Sequence, residues 1–534
     1  MKRKLLASIL VVAALMLASC GRGGAEPSYA DEGAAGAYES LYAEAQDAES
    51  PEPEAQEPEY PEDDPPADPT GALPPTPTPL SELTTAHFLE DLDYMLYALE
   101  NNFGAFDVAY WARGVDNYAI VENLRTEILA NPDMDVGRFR DVLSLHFVPL
   151  VNIGHFEFIA PIFHYNVINA FAGYFRPSTV ERMREPHVIA FFEPRYPGAI
   201  AEDTESDALE LIAELLRSLT EQEIYSMFSP TITRARFHGS DELADNLLHA
   251  LLTVDMAEFP HLFAYANEIF ANAPNVTTRI LEEGRVGYIA INSFLDYPPS
   301  RAEQEQIDIF YEEIRHFDHL IIDLRLNGGG GPVWFYRTLV GPNIDRRITV
   351  DGFAFLSYGE YAAPYSNVHF GFPLLLHELS SRDMQRRTVA EILESYDLPE
   401  LNMADMERMD YGFRTQVVIN PVAGPSGRAT DITFPGKIWF LTGPYMGSGT
   451  QVSAWVVRES GFATLVGEIT GGNFGGPRTL IALPNSGIAF QIDLFYLTDS
   501  RGRPLEAGTI PHIFNRDGMD ALETVLALIA EGEY

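Results

Sequence analysis

The chain has a single cysteine, Cys20, in 534 residues. No internal disulfide can form, so the fold must be held by its apolar core. Basic residues are scarce: 35 Lys and Arg stand against 78 Asp and Glu, a formal net charge of −43. Nucleic acid needs basic patches to meet its phosphates, so this balance argues against such a partner. There is no cysteine cluster and no His-Glu-x-x-His, so neither a metal site nor a cofactor is implied. The apolar run Leu5–Leu17 is too short for a standard membrane-spanning helix. No lysine follows Lys437.

The N-terminus carries Lys2, Arg3 and Lys4 ahead of that apolar run, the pattern of an export signal over residues 1–20. Leu17-Ala18-Ser19-Cys20 resembles the lipobox of bacterial lipoproteins. The resemblance implies lipidation of Cys20 and an extracytoplasmic protein anchored to the cell membrane. The alternative is an ordinary signal peptide with a cysteine at its cleavage site. Residues 21–80 hold fifteen acidic residues and one basic residue, Arg22, among many prolines and alanines. Such a segment has too little apolar surface to offset its ordering entropy and is expected to be a disordered tether. Pro75-Thr76-Pro77-Thr78-Pro79 should stiffen its end.

Apolar spacing predicts helices over 83–101, 118–129 and 136–150, within a helical region 81–160. Residues 161–280 read as mixed and mostly helical, with helices at 208–219 and 241–253, no chemical motif and no loop that would mark a PDZ module. From 281 to 534 strands alternate with helices, which predicts an α/β core. Its strands are expected at 286–292, 319–324, 437–442, 463–466 and 488–497, with helices at 300–317, 333–340 and 452–459.

Two segments suggest chemistry. Phe440-Leu441-Thr442-Gly443-Pro444 ends a strand, and Gly447-Ser448-Gly449 forms a small-residue turn ahead of a helix. A serine at a strand-to-helix turn projects its hydroxyl, with backbone N–H groups at hand for an oxyanion. Second, four glycines, Gly328 to Gly331, follow the buried strand 319–324. Glycine permits close backbone approach and conformations closed to other residues. A phosphate role fits poorly: no Lys-Ser/Thr follows, and the spacing is not Gly-x-Gly-x-x-Gly. The plain alternative is a tight strand-helix connection.

Leu320-Ile321-Ile322-Asp323-Leu324-Arg325-Leu326-Asn327-Gly328-Gly329-Gly330 resembles the signature of the tail-specific, or C-terminal processing, serine proteases and their tricorn-core relatives. Further stretches resemble that family in the same order. They are Val286–Ile289, the segment around Ser448, Gly461–Gly472, and Gly502–Pro511. The resemblance implies a crotonase-like spiral ββα core with Ser448 as nucleophile. The family's Ser-Lys design would place its lysine at Asn473, so the Ser-His-Glu design is implied instead. Val151-Asn152-Ile153-Gly154-His155 resembles the histidine segment, with Ile153 in place of Asp, and the glutamate matches Glu506. Glu468 and Ser453 are the competing acid and serine. An oxyanion hole would use the N–H of Gly449 and one from Gly328 or Gly329.

The expected protein is an exported, membrane-anchored serine peptidase acting on a peptide or protein substrate through an acyl-enzyme. Alternatives are a catalytically inactive binding lipoprotein on the same fold, or a serine esterase. The first is favoured by Ile153 and by Gly449-Thr450-Gln451, where many relatives carry Ala-Ser-Glu.

Overall fold

The computed structural model describes residues 79–150, 153–159, 241–253, 274–294, 299–357, 359, 361, 387–423, 432–473, 476 and 478–532. The export signal, Cys20, nearly all of the 21–80 tether and the expected helix 208–219 lie outside the described residues.

Four helices open the described chain: α1 (Thr85–Asn102), α2 (Phe106–Arg113), α3 (Asn117–Ala130) and α4 (Val136–His146). Local chemistry sets their ends. Thr84 and His87 form a reciprocal cap on α1, and the Asp116 and Asp135 side chains accept the first free N–H groups of α3 and α4. Gly114, at φ +70°, ends α2 in a left-handed cap. The helix expected over 136–150 stops at His146, and a 3-10 turn, Val148–Leu150, follows.

These helices do not close a core of their own. Phe88, Leu92, Leu124, Phe139 and Phe147 pack in one cluster with Ile481, Phe490 and Ile492, which lie more than 330 positions later in the chain. That contact brings the N-terminal lobe onto a three-stranded antiparallel sheet. The sheet orders β1 (Glu157–Phe158), β11 (Ala489–Asp493) and β10 (Arg478–Ala482).

Among the described residues the central sheet has six strands. In chain order they are β2 (Val276–Glu282), β3 (Val286–Ile291), β4 (His319–Asp323), β8 (Lys437–Thr442), β9 (Thr464–Gly467) and β13 (Ile513–Phe514). Spatially the order is β13-β9-β8-β4-β3-β2, parallel throughout except for the antiparallel edge strand β2. β3 and β4 are buried along their whole length because both faces are covered. Ile289, Ile322, Phe440 and Leu465 face one layer, which includes helices α6 (Arg301–Ile314) and α8 (Ser448–Ser460). Tyr288, Ile321, Trp439 and Val466 face the other, closed by α9 (Ala521–Glu531). Burying each such large side chain contributes roughly 2–3 kcal/mol.

A second antiparallel sheet orders β12 (Tyr496–Thr498), β5 (Ile348–Leu356), β7 (Tyr411–Ile419) and β6 (Arg387–Thr388). Helix α7 (Val389–Ser395) follows β6 directly, and α5 (Asp241–Thr253) precedes β2 in the chain. The expected strand 488–497 is two strands, β11 and β12. They break at Leu494-Phe495, where the Gly104 N–H binds the Asp493 carbonyl at 3.1 Å. The expected helix 333–340 is one turn, Val333–Phe335, running into a π-helical segment, Tyr336–Val340. The observed α/β architecture, a mixed sheet between helical layers, is the class the alternating pattern predicts.

Candidate active site

Loops leaving the C-terminal ends of β4 and β8 meet above the central sheet, where an open parallel sheet places its ligands. The β8 loop delivers Ser448 as the first residue of α8, several residues earlier than the helix start predicted at Val452. Ser448 has φ +50°. Its N–H is shared between the carbonyls of Gly472, at 3.1 Å, and Asn473, at 3.2 Å.

Ser448 Oγ lies 3.0 Å from His155 Nε2. His155 Nδ1 lies 2.6 Å from Asp493 Oδ2. The geometry fits the tautomer in which Nδ1–H donates to the carboxylate and the serine hydroxyl donates to Nε2. Asp493, at the end of β11, is fully buried. Its backbone N–H also donates to the Gly154 carbonyl at 2.8 Å, so residue 493 holds the histidine turn by backbone and side chain together.

Among the described residues, three that are not glycine have positive φ: His155, Ser448 and Asn473. All three are at this site. Such conformations cost on the order of 1–3 kcal/mol each and persist only where surrounding contacts over-determine them. The contacts here do so. The His155 N–H donates to Asn473 Oδ1 at 2.8 Å, and the Asn473 N–H donates to Glu506 Oε1 at 3.0 Å.

The carboxylate on the imidazole is therefore Asp493, where the sequence suggests Glu506. Glu506 is also buried, on the turn Leu505–Ala507, but its Oε1 serves the backbone of Asn473. Arg113, from α2, donates to the carbonyls of Gly471 and Glu506 and ties the N-terminal lobe to the same loops. Glu468 is exposed just past β9. Ser453 is buried, its hydroxyl donating to the Gly449 carbonyl at 2.9 Å. Neither competing residue is at the Ser448–His155 pair.

The glycine loop packs on the start of α8. Gly329 has φ +119°, and a Cβ built there would stand 2.7 Å from Ser448 Cβ and 2.9 Å from the Gly447 carbonyl oxygen. Asn327 is fully buried, and its Oδ1 accepts from the Gly329 N–H at 2.9 Å and the Thr450 hydroxyl at 2.8 Å. The Gly329 N–H is thus committed, which removes one of the two expected loop donors. Gly328 is exposed and has open space where a Cβ would be. The N–H groups of Gly328 and Gly449 donate to no acceptor among the described residues. Gly449 lies in the first turn of α8, where N–H groups have no intrahelical partner and the helix dipole is positive.

The departures from the expected pattern have local physical reasons. Ile153 is buried in the N-terminal core beside Phe147 and Phe156. A Cβ at Gly449 would overlap the Gly330 carbonyl oxygen. Thr450 serves Asn327. Gln451, fully buried, bonds the hydroxyls of Thr470 and Thr509.

The profile of peptidase family S41 matches residues 285–349 and 381–514. These stretches are less than half of the chain, and they hold the glycine loop, Ser448, Asp493 and Glu506 but not His155. The match supports a serine peptidase with the S41 type of α/β fold. A comparison with curated proteins found no match. Among solved structures, a candidate peptidase from Parabacteroides merdae is 15% identical, with 84% of this chain and 97% of that one covered and a TM-score of 0.43. Mature CPAF complexed with lactacystin is 12% identical, with coverages of 84% and 97% and a TM-score of 0.40. The tricorn protease is 18% identical over 46% of this chain and 18% of its own, with a TM-score of 0.23.

Proposed function

We propose that this protein hydrolyses peptide bonds through an acyl-enzyme on Ser448. The observation that carries the reading is the unbroken line from Ser448 Oγ through the His155 ring to Asp493. A serine hydroxyl is a weak nucleophile until a neighbouring base takes its proton. In the proposed reaction Ser448 Oγ attacks the scissile carbonyl carbon while its proton passes to His155 Nε2. Asp493 holds the ring and stabilises the imidazolium. The carbonyl oxygen becomes an oxyanion, which in this proposal the uncommitted N–H groups of Gly449 and Gly328 receive. The C–N bond then breaks, and His155 returns the proton to the leaving amine. Water attacks the resulting ester, giving its proton to His155. Ser448 Oγ leaves, is reprotonated, and the free acid departs.

The spiral arrangement of the family core, the export signal, and attachment to the extracytoplasmic face of the cell membrane through lipid on Cys20 belong to the same proposal. They rest on the sequence resemblances alone. Labelling of Ser448 by a fluorophosphonate tests the chemistry, because such probes need an activated serine and no knowledge of the natural substrate.

A further inference from the structure

We infer that Asn473 is the positioning residue that locks His155 against Ser448, an inference that rests on the serine peptidase reading. One residue engages three separate parts of the site. Its carbonyl accepts the Ser448 N–H at 3.2 Å. Its own N–H donates to Glu506 Oε1 at 3.0 Å, and its Oδ1 accepts the His155 N–H at 2.8 Å. His155 lies 318 positions away in the chain, so this bond joins the N-terminal lobe to the loop after β9, whose Asn473 carbonyl also accepts the Ser448 N–H.

The backbone at Asn473 is specialised for the task. Its φ of +54° is a conformation that asparagine adopts more readily than most residues. That conformation lets the carbonyl face α8 while the side chain turns to the histidine. His155 itself sits at φ +48°, so its ring direction depends on what pins its backbone. Asp493 pins the ring at Nδ1, and Asn473 pins the backbone N–H. Without the Asn473 acceptor, that N–H loses its partner, and the histidine turn can relax toward ordinary dihedrals. The 3.0 Å approach of Nε2 to Ser448 Oγ would then be lost, although no reacting group has been removed. Glu506 acts one step further back, holding the Asn473 peptide.

Asn473→Gly isolates the side chain: glycine accepts the positive φ and keeps both backbone bonds. Asn473→Asp keeps an isosteric oxygen acceptor. The test measures saturation kinetics of fluorophosphonate labelling, separating the probe's KI from kinact, with thermal unfolding as a control. Asn473→Gly should lower kinact between about tenfold and a hundredfold, the scale of a small misplacement of reacting groups. KI should stay within about twofold, since the probe's pocket is untouched. Asn473→Asp should recover most of kinact. If Asn473→Gly does not fold, Asn473→Ser carries the same test, its hydroxyl being too short to reach the His155 N–H. Wild-type kinact in the Gly variant, or a loss that Asp does not recover, overturns the inference and leaves the peptidase reading standing. A wild type that takes no label overturns both.

Discussion

Ser448 and His155 stand 293 positions apart in the chain, and their side chains meet at 3.0 Å. The meeting is made by packing. The N-terminal helices share a core with β10 and β11, and β1 pairs with β11 immediately after the histidine turn. Any peptidase activity depends on that docking as much as on the two residues.

The two carboxylates near the site can be told apart. Asp493→Asn removes the charge that meets the imidazole, and labelling or turnover should fall by about a hundredfold or more. Glu506→Gln keeps an oxygen that can accept the Asn473 N–H, so the loss should be only a few-fold. Measured under identical conditions, the reverse ranking would return the orienting role to Glu506.

Gly329→Ala should fold but label poorly. The added methyl meets Ser448 Cβ at 2.7 Å, at a φ of +119° that alanine resists. The expected fall is about a hundredfold, the scale of a disturbed oxyanion site. Gly328→Ala, with open space around it, is the control and should lose far less. Equal rates for wild type and Gly329→Ala would reduce the loop to a packing turn.

The stretch leading into that loop carries a buried ion pair. Asp323 is held by Arg325, which reaches on to Asp520, and by the Tyr288 hydroxyl at 2.8 Å. Burial pushes the Asp323 carboxyl up, but the Arg325 charge and the hydrogen bonds outweigh it and leave it below the usual carboxylate range. A carboxylate depressed in the folded state contributes stability above its unfolded value of about 3.9, and loses it as pH falls through the folded value. The wild type should therefore lose this contribution below about pH 4. Arg325→Met strands the buried carboxylate and should cost about 3–5 kcal/mol at neutral pH. Its deficit should shrink on acidification, because protonation then relieves the unpaired charge. Denaturant unfolding of the variant at pH 7 and pH 4, and of the wild type at pH 4 and about pH 2, checks both signs.

Cys20→Ala should release the protein from membranes, since one short apolar segment cannot span and no other anchor is expected in the tether. Fractionation after signal cleavage reads this directly. A variant that still sediments with membranes would place the attachment in the folded part.

The sequence made some features of the site readable and hid others, for physical reasons. Ser448 and the glycine loop sit in local patterns whose meaning is short-range, a strand end and a run of glycines, whereas His155 stood out only through the family resemblance, since a histidine in an apolar stretch otherwise reads as core. The parallel strands β3, β4 and β8 were readable because burial on both faces demands continuous apolar runs. Asp493 had no motif. The one available sign was a lone carboxylate at the end of an apolar strand, and its role arises only when β11 pairs with β1 from more than 300 positions earlier. In the sequence Asn473 stands out only as the position where the resembled Ser-Lys design would have its lysine. Its three bonds depend on a left-handed backbone that composition does not reveal. The bond from the Gly329 N–H to Asn327 is local, an Asx turn between residues two apart, whereas the bond from the Thr450 hydroxyl to the same Asn327 oxygen is made only by tertiary packing.

The most direct measurement is mass-spectrometric mapping of fluorophosphonate on the wild-type protein, beside Ser448→Ala and His155→Gln. The account predicts near-stoichiometric label on Ser448, none on the Ser448→Ala protein, a rate reduced by about a hundredfold or more in His155→Gln, and no effect of EDTA. Folded wild-type protein that takes no label, or takes it on another serine, would contradict the central claim.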